Sequence, residues 1–149
     1  MARSRSKFKG RAESGTFTAL PHTLMDSDEF RGLSPSGLRV LLWLCRQYNG
    51  RNNGDLSATI TQGIKFGVNS SASLAKALKE LQELNLIICT RQGQFMQPGS
   101  RCALYAITWR AIDECIGKDL ELGPTETSIR RFEKNHNPTQ LMNKVRFKK

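Results

Sequence analysis

Few side chains in this 149-residue chain are of a type that makes or breaks bonds at neutral pH. The histidines are His22 and His136. His22 follows Pro21 in a segment that reads as a loop, and His136 lies in a polar stretch near the C-terminus. No HxH, HExxH, GxSxG or GxxxxGK[ST] pattern is present. Asp113 and Glu114 are adjacent; on a helix neighbours point about 100° apart, so the pair reads as solvated surface. Cys45, Cys89, Cys102 and Cys115 show no CxxC spacing and sit in apolar-patterned segments. They read as buried or half-buried thiols of a reducing cytoplasm, and no metal or cofactor is expected. The expectation is a cytoplasmic protein that is not an enzyme.

What remains is the chemistry of phosphate and base recognition. Asn69, Ser70, Ser71, Ala72 and Ser73 open a helical stretch with small or polar side chains. Such residues leave the first-turn N–H groups within reach of a phosphate. On a wheel of about 100° per residue, Leu74, Ala77, Leu78, Leu81 and Leu84 share one side. Ala72, Lys76, Lys79 and Glu83 share the other, with Ala75 at the margin. A lysine-bearing outer face fits a major groove about 12 Å wide. A solvated amphipathic helix would show the same wheel. No arginine stands at the reading positions, although arginine to guanine is the commonest specific contact. Modest sequence discrimination is therefore expected, with much of the affinity electrostatic.

Arg91 and Arg101 flank a second candidate, a loop that also carries Gln92, Gln94 and Gln97 and no acid. That composition suits a phosphate or minor-groove contact. Phe95 and Met96 at its tip either pack back, wedge into a groove or meet a protein partner; packing or a partner is preferred over intercalation.

These positions need a frame, and the chain supplies one. Residues 1–15 lack periodicity and read as a basic, disordered arm. Thr16 to Leu20 alternate, and Ser27 is a candidate cap over Asp28, Glu29 and Phe30. A long helix starts at Ser34-Pro35, carries Leu38, Leu41, Leu42, Cys45 and Tyr48 with Val40, Trp43 and Leu44, and stops at Asn49-Gly50. Asp55–Ile60 reads as a short strand, 61–66 as a weaker helix, and Gly67-Val68-Asn69 as a turn. The second long helix spans about Ser70–Leu84, capped by Asn69 or Ser70 and closed by Asn85, which tolerates positive φ. Leu86–Arg91 and Cys102–Thr108 read as strands of a hairpin, Ala103, Tyr105 and Ile107 on one face and Cys102, Leu104 and Ala106 on the other. Thr108 is a candidate cap for a last helix, Trp109–Ile116, ending at Gly117. Beyond it a loose polar tail is expected, with a helical patch near Ser128–Lys134.

The stretch from Phe66 to Ile87 resembles the bacterial pattern of turn, recognition helix, "LxELxxLGLI" and wing, with Asn85 where that pattern has glycine. Leu20-Pro21-His22, Leu33 to Ser36, Gln47 to Leu56 and Leu104 to Trp109 extend the likeness over about residues 17–115. In these the chain resembles winged helix-turn-helix proteins of bacterial mobile elements and the winged domains of plasmid replication initiators. The resemblance implies a mainly α fold with a β-hairpin wing, a winged helix-turn-helix, spanning residues 16–117 between the arm and a tail at 118–149. It implies double-stranded DNA as partner and a role as regulator or accessory factor of a mobile element. Winged domains also dock proteins, so an interaction module within a nucleoprotein or inhibitory complex, or a replication-initiation factor, stays open. A homodimer stays open too, although no heptad seam shows.

Charge agrees with a polyanion partner. The net charge is +10, with +5 on residues 1–12 and +6 on residues 130–149, which leaves −1 for residues 13–129. Arg3, Arg5, Lys7, Lys9 and Arg11 at one end and Lys144, Arg146, Lys148 and Lys149 at the other are the expected accessory phosphate contacts. Solubilising ends would look the same. No apolar run is long enough to cross a bilayer, and no apolar h-region follows the basic start, so no membrane partner is expected.

Overall fold

The structure, a computed structural model, describes residues 15–95 and 99–132. The order is α1 (His22–Met25), α2 (Asp28–Arg31), α3 (Pro35–Gln47), α4 (Ile60–Lys65), α5 (Ser71–Glu83), β1 (Ile87–Arg91) and β2 (Leu104–Ile107). The fold is thus helical with a two-stranded antiparallel hairpin. Among the described residues no helix is long and apolar enough to cross a membrane.

Local chemistry sets the helix starts. Ser34 caps α3, its oxygen accepting from Gly37 N–H at 3.0 Å with Pro35 at the first turn. Thr59 and Gln62 form a reciprocal capping box that starts α4. Ser70 rather than Asn69 caps α5, accepting from Ser73 N–H. Asn85 ends α5 at φ 54°, as its residue type suggests. Ser27 caps α2 by accepting from Phe30 N–H.

The core lies where α3, α5 and the hairpin meet. Leu24, Val40, Leu41, Leu44, Leu56, Leu81 and Leu86 are fully buried, and Leu74, Ala77 and Ile87 nearly so. Each such leucine contributes about 1.5–3 kcal/mol relative to exposure. Leu42, expected on the buried stripe of α3, is 40% exposed instead. Trp43 stacks on Phe66 at 5.0 Å and fastens the end of α4 to α3.

Strands β1 and β2 pair Ile87 with Ile107, Ile88 with Ala106, Cys89 with Tyr105 and Arg91 with Leu104. The register slips between Cys89 and Arg91, so Thr90 is an extra residue. Its hydroxyl donates to Gly54 O at 2.6 Å, and its carbonyl accepts from Glu121 and Leu122 N–H. All four β2 residues are buried, so both faces of that strand are covered.

Several expectations are corrected by pairings between distant residues. The strand at Asp55–Ile60 is a single bridge, Leu56 to Tyr105, because Gln47 takes Ser57 N–H and Thr59 already caps α4. His22 opens the short helix α1 rather than sitting in a loop. No helix forms at Trp109–Ile116. Thr108 donates its hydroxyl to Asn85 O instead of capping, Asp113 N–H goes to Asn53 O, and Ile112 N–H goes to Thr125 Oγ1. Residues 118–132 do not form a loose tail, nor does a helix form over 128–132. Glu121, Leu122, Thr125 and Arg130 each donate a backbone N–H to the folded body. The rest of that helical patch, residues 133–134, lies outside the described residues. Cys102 is exposed rather than buried or half-buried.

Candidate nucleic-acid interface

α5 divides as its wheel requires. Leu74, Ala77 and Leu81 face the core, whereas Asn69, Ser70, Ser71, Ala72, Ser73, Ala75, Lys76 and Lys79 are all exposed. Lys79 lies 3.8 Å from Glu83 across one turn, with both side chains mostly in water. Such a pair is weak and leaves the lysine recruitable. Lys76 has no ion-pair partner among the described residues.

Glu80 is turned away from this face. Its carboxylate accepts from Ser34 N–H at 3.0 Å and Ser34 Oγ at 2.6 Å, at the N-terminus of α3. From Leu56 to Lys79 the chain has three lysines and no acid. The outward surface of α4, its turn and most of α5 therefore carries one sign of charge.

Two basic side chains beside this surface were not among the expected contacts. Lys65 is exposed in the last turn of α4. Arg39 is exposed on α3 and reaches Phe66 O at 3.4 Å, beside Gly67 at φ +90°. Glycine at 67 serves the positive φ, whereas a Cβ there would meet only the movable end of the exposed Arg39 side chain. The available signal was the acid-free run itself, together with Arg39 standing opposite the apolar stripe of α3.

The hairpin loop has a different character. Gln94 and Arg101 pair through two backbone hydrogen bonds of 2.8 Å, extending the hairpin beyond its named strands. Gln92 and Gln94 are exposed, and Phe95 is 92% exposed, so it does not pack back on the domain. Met96 and Gln97 lie outside the described residues. The two arginines are half-buried and engaged. Arg91 donates to Lys118 O at 2.9 Å and Cys102 O at 2.8 Å. Arg101 Nη2 lies 3.7 Å from Glu121 Oε1, which also accepts from Gln92 N–H at 3.1 Å. The Nε groups of both arginines are buried without a hydrogen-bond partner among the described residues.

Arg3, Arg5, Lys7, Lys9, Arg11, Lys144, Arg146, Lys148 and Lys149 all lie outside the described residues. Arg130, counted with the basic C-terminal stretch, is built into the fold. It donates to Leu84 O at the end of α5, pairs with Glu29 and sits 4.4 Å above the Phe132 ring. No family model, curated protein or solved structure matches the chain.

Proposed function

We propose that this chain is a winged helix-turn-helix DNA-binding protein that is not an enzyme. α4 and α5 form the helix-turn-helix, the hairpin is the wing, and α5 enters the major groove while the wing meets the adjacent backbone. The element order supports this, as does the Leu56 bridge, which makes β2 the middle of three extended segments. The observation that carries the reading is the outward face of residues 69–79. It is exposed, free of acid and edged by lysines, while the opposite side of the same helix is locked on α3. The resemblance over about residues 17–115 adds the role of a cytoplasmic regulator or accessory factor of a bacterial mobile element, with replication initiation as a variant.

Binding of the whole chain to labelled duplex DNA over a range of salt tests the proposal. Lys76→Ala with Lys79→Ala should weaken binding on every duplex. It should also lower the salt slope by roughly the ~0.9 per phosphate contact that each lysine supplies. Unchanged affinity would contradict the placement of α5. Nanomolar, salt-insensitive binding to one site would contradict the modest discrimination expected from a helix without arginine.

One observation favours a second reading. Phe95 projects from the wing 92% exposed, which suits docking to a protein. If docking is the function, Phe95→Ala with Met96→Ala abolishes partner capture and the double lysine variant does not.

A further inference from the structure

We propose that Glu121 is an internal substitute for a DNA phosphate, latching the wing until duplex displaces it. This rests on the DNA-binding reading above. Between Leu84 and Ile112 the sequence has Arg91, Arg101 and Arg110 and no acid. A carboxylate nevertheless lies on the wing, brought there from outside that stretch. Glu121 Oε1 accepts from Gln92 N–H and faces the Arg101 guanidinium. A backbone N–H beside an arginine is the donor set that phosphate oxygens take, and a carboxylate presents the same acceptors.

The latch is held at its backbone and loose at its side chain. Glu121 and Leu122 N–H both bond to the carbonyl of the bulged Thr90. The Glu121 side chain itself is 52% exposed, and its contact with Arg101 is 3.7 Å long. The carboxylate can swing away while the segment stays docked. Surface pairs of this kind are weak, so a polyanion competes with it readily. Once it leaves, Gln92 N–H and Arg101 are available together at the base of the wing.

The test compares the full chain with Glu121→Gln, Arg101→Met, the double variant and Glu114→Gln on one mixed-sequence duplex. The glutamine at 121 keeps an acceptor for Gln92 N–H and removes the charge. Glu121→Gln should tighten binding up to about fivefold, the upper range for an exposed pair. It should also steepen the salt dependence, and the gain should vanish in the Arg101→Met background. Glu114→Gln, an exposed acid elsewhere, sets the gain expected from net charge alone. A gain that survives loss of Arg101, or one no larger than that of Glu114→Gln, overturns the latch. Wild-type binding with no change in Glu121→Gln overturns it while leaving the DNA reading intact. Absence of duplex binding in every variant overturns both. The Gln92 amide resonance gives a second readout independent of affinity. Duplex should move it in the wild type as a phosphate oxygen replaces the Glu121 carboxylate as its acceptor, and a resonance unmoved by bound duplex contradicts displacement.

Discussion

Glu80 on α5 grips the start of α3 by accepting both the backbone N–H and the hydroxyl of Ser34, at 3.0 and 2.6 Å. The Ser34 hydroxyl in turn accepts from Gly37 N–H, so one carboxylate completes the cap of another helix. A Cβ at Gly37 would collide with Glu80 Oε2. The Glu80 carboxylate reaches the Ser34 cap past residue 37, which has no side chain in its way. The grip also fixes the rotation of α5, which turns Lys76 and Lys79 outward.

Glu80→Ala should therefore cost about 2 kcal/mol of stability, the range for hydrogen bonds to a charged group. Gly37→Ala should cost about 1–3 kcal/mol by overpacking. Made together they should cost less than their sum, because the alanine at 80 removes what the new methyl strikes. Urea unfolding of the three variants measures this, and strict additivity would contradict the contact.

Asn53 is a second tie of this kind. It is fully buried, donates to the carbonyls of Ile107, Arg110 and Ala111, and accepts from Ile107 N–H. Asn53→Ala leaves those groups unpaired and should cost at least ~3 kcal/mol. Asn53→Asp should also destabilise, since an ionised carboxylate donates nothing to three carbonyls. A small effect in urea unfolding would contradict the buried network around Asn53.

Acid should release the segment around Arg130. Burial pushes the Glu29 carboxyl up, but its own backbone N–H, the Arg130 guanidinium and the Ser27 hydroxyl outweigh that and hold it below its ordinary value. A carboxylate lowered on folding contributes stability above its unfolded pKa and loses it as pH falls through the folded one. As pH falls below the ordinary glutamate range the tie to Arg130 should weaken, and Phe132 should move off Trp109, whose rings now lie 6.2 Å apart. Tryptophan fluorescence in a Trp43→Phe background follows this, and Glu29→Gln should flatten the transition. An identical transition in that variant would assign it to another group.

The four thiols should differ in reactivity. Burial pushes Cys45 up to about 12 and raises Cys89 and Cys115, whereas Cys102 is exposed. An alkylating reagent at neutral pH should modify Cys102 first and Cys45 only on unfolding. Mass spectrometry of timed samples gives the order, and early labelling of Cys45 would contradict its burial.

Legibility followed sequence separation. Ser34-Pro35, Ser70 and Asn85 act within one turn of themselves, so their roles could be read from residue type. The outward set of α5 followed from the period of its leucines. Thr108 also looks like a cap when read locally, but its hydroxyl is taken by Asn85 O across the fold. Arg91 and Arg101 look like free cations in sequence. Their partners, Lys118 and Glu121, come from a stretch with no apolar period to announce that it docks. The bulge at Thr90 that receives this stretch has no signature in a run of isoleucine and threonine.

The decisive measurement is residue-resolved amide NMR of the whole chain titrated with duplex DNA. Shifts should concentrate on residues 69–79, with a second group at 91–101, and should shrink at 69–79 in the Lys76→Ala/Lys79→Ala chain. Shifts confined to residues 1–14 and 133–149 would mean that the ends bind charge and that α5 does not read DNA.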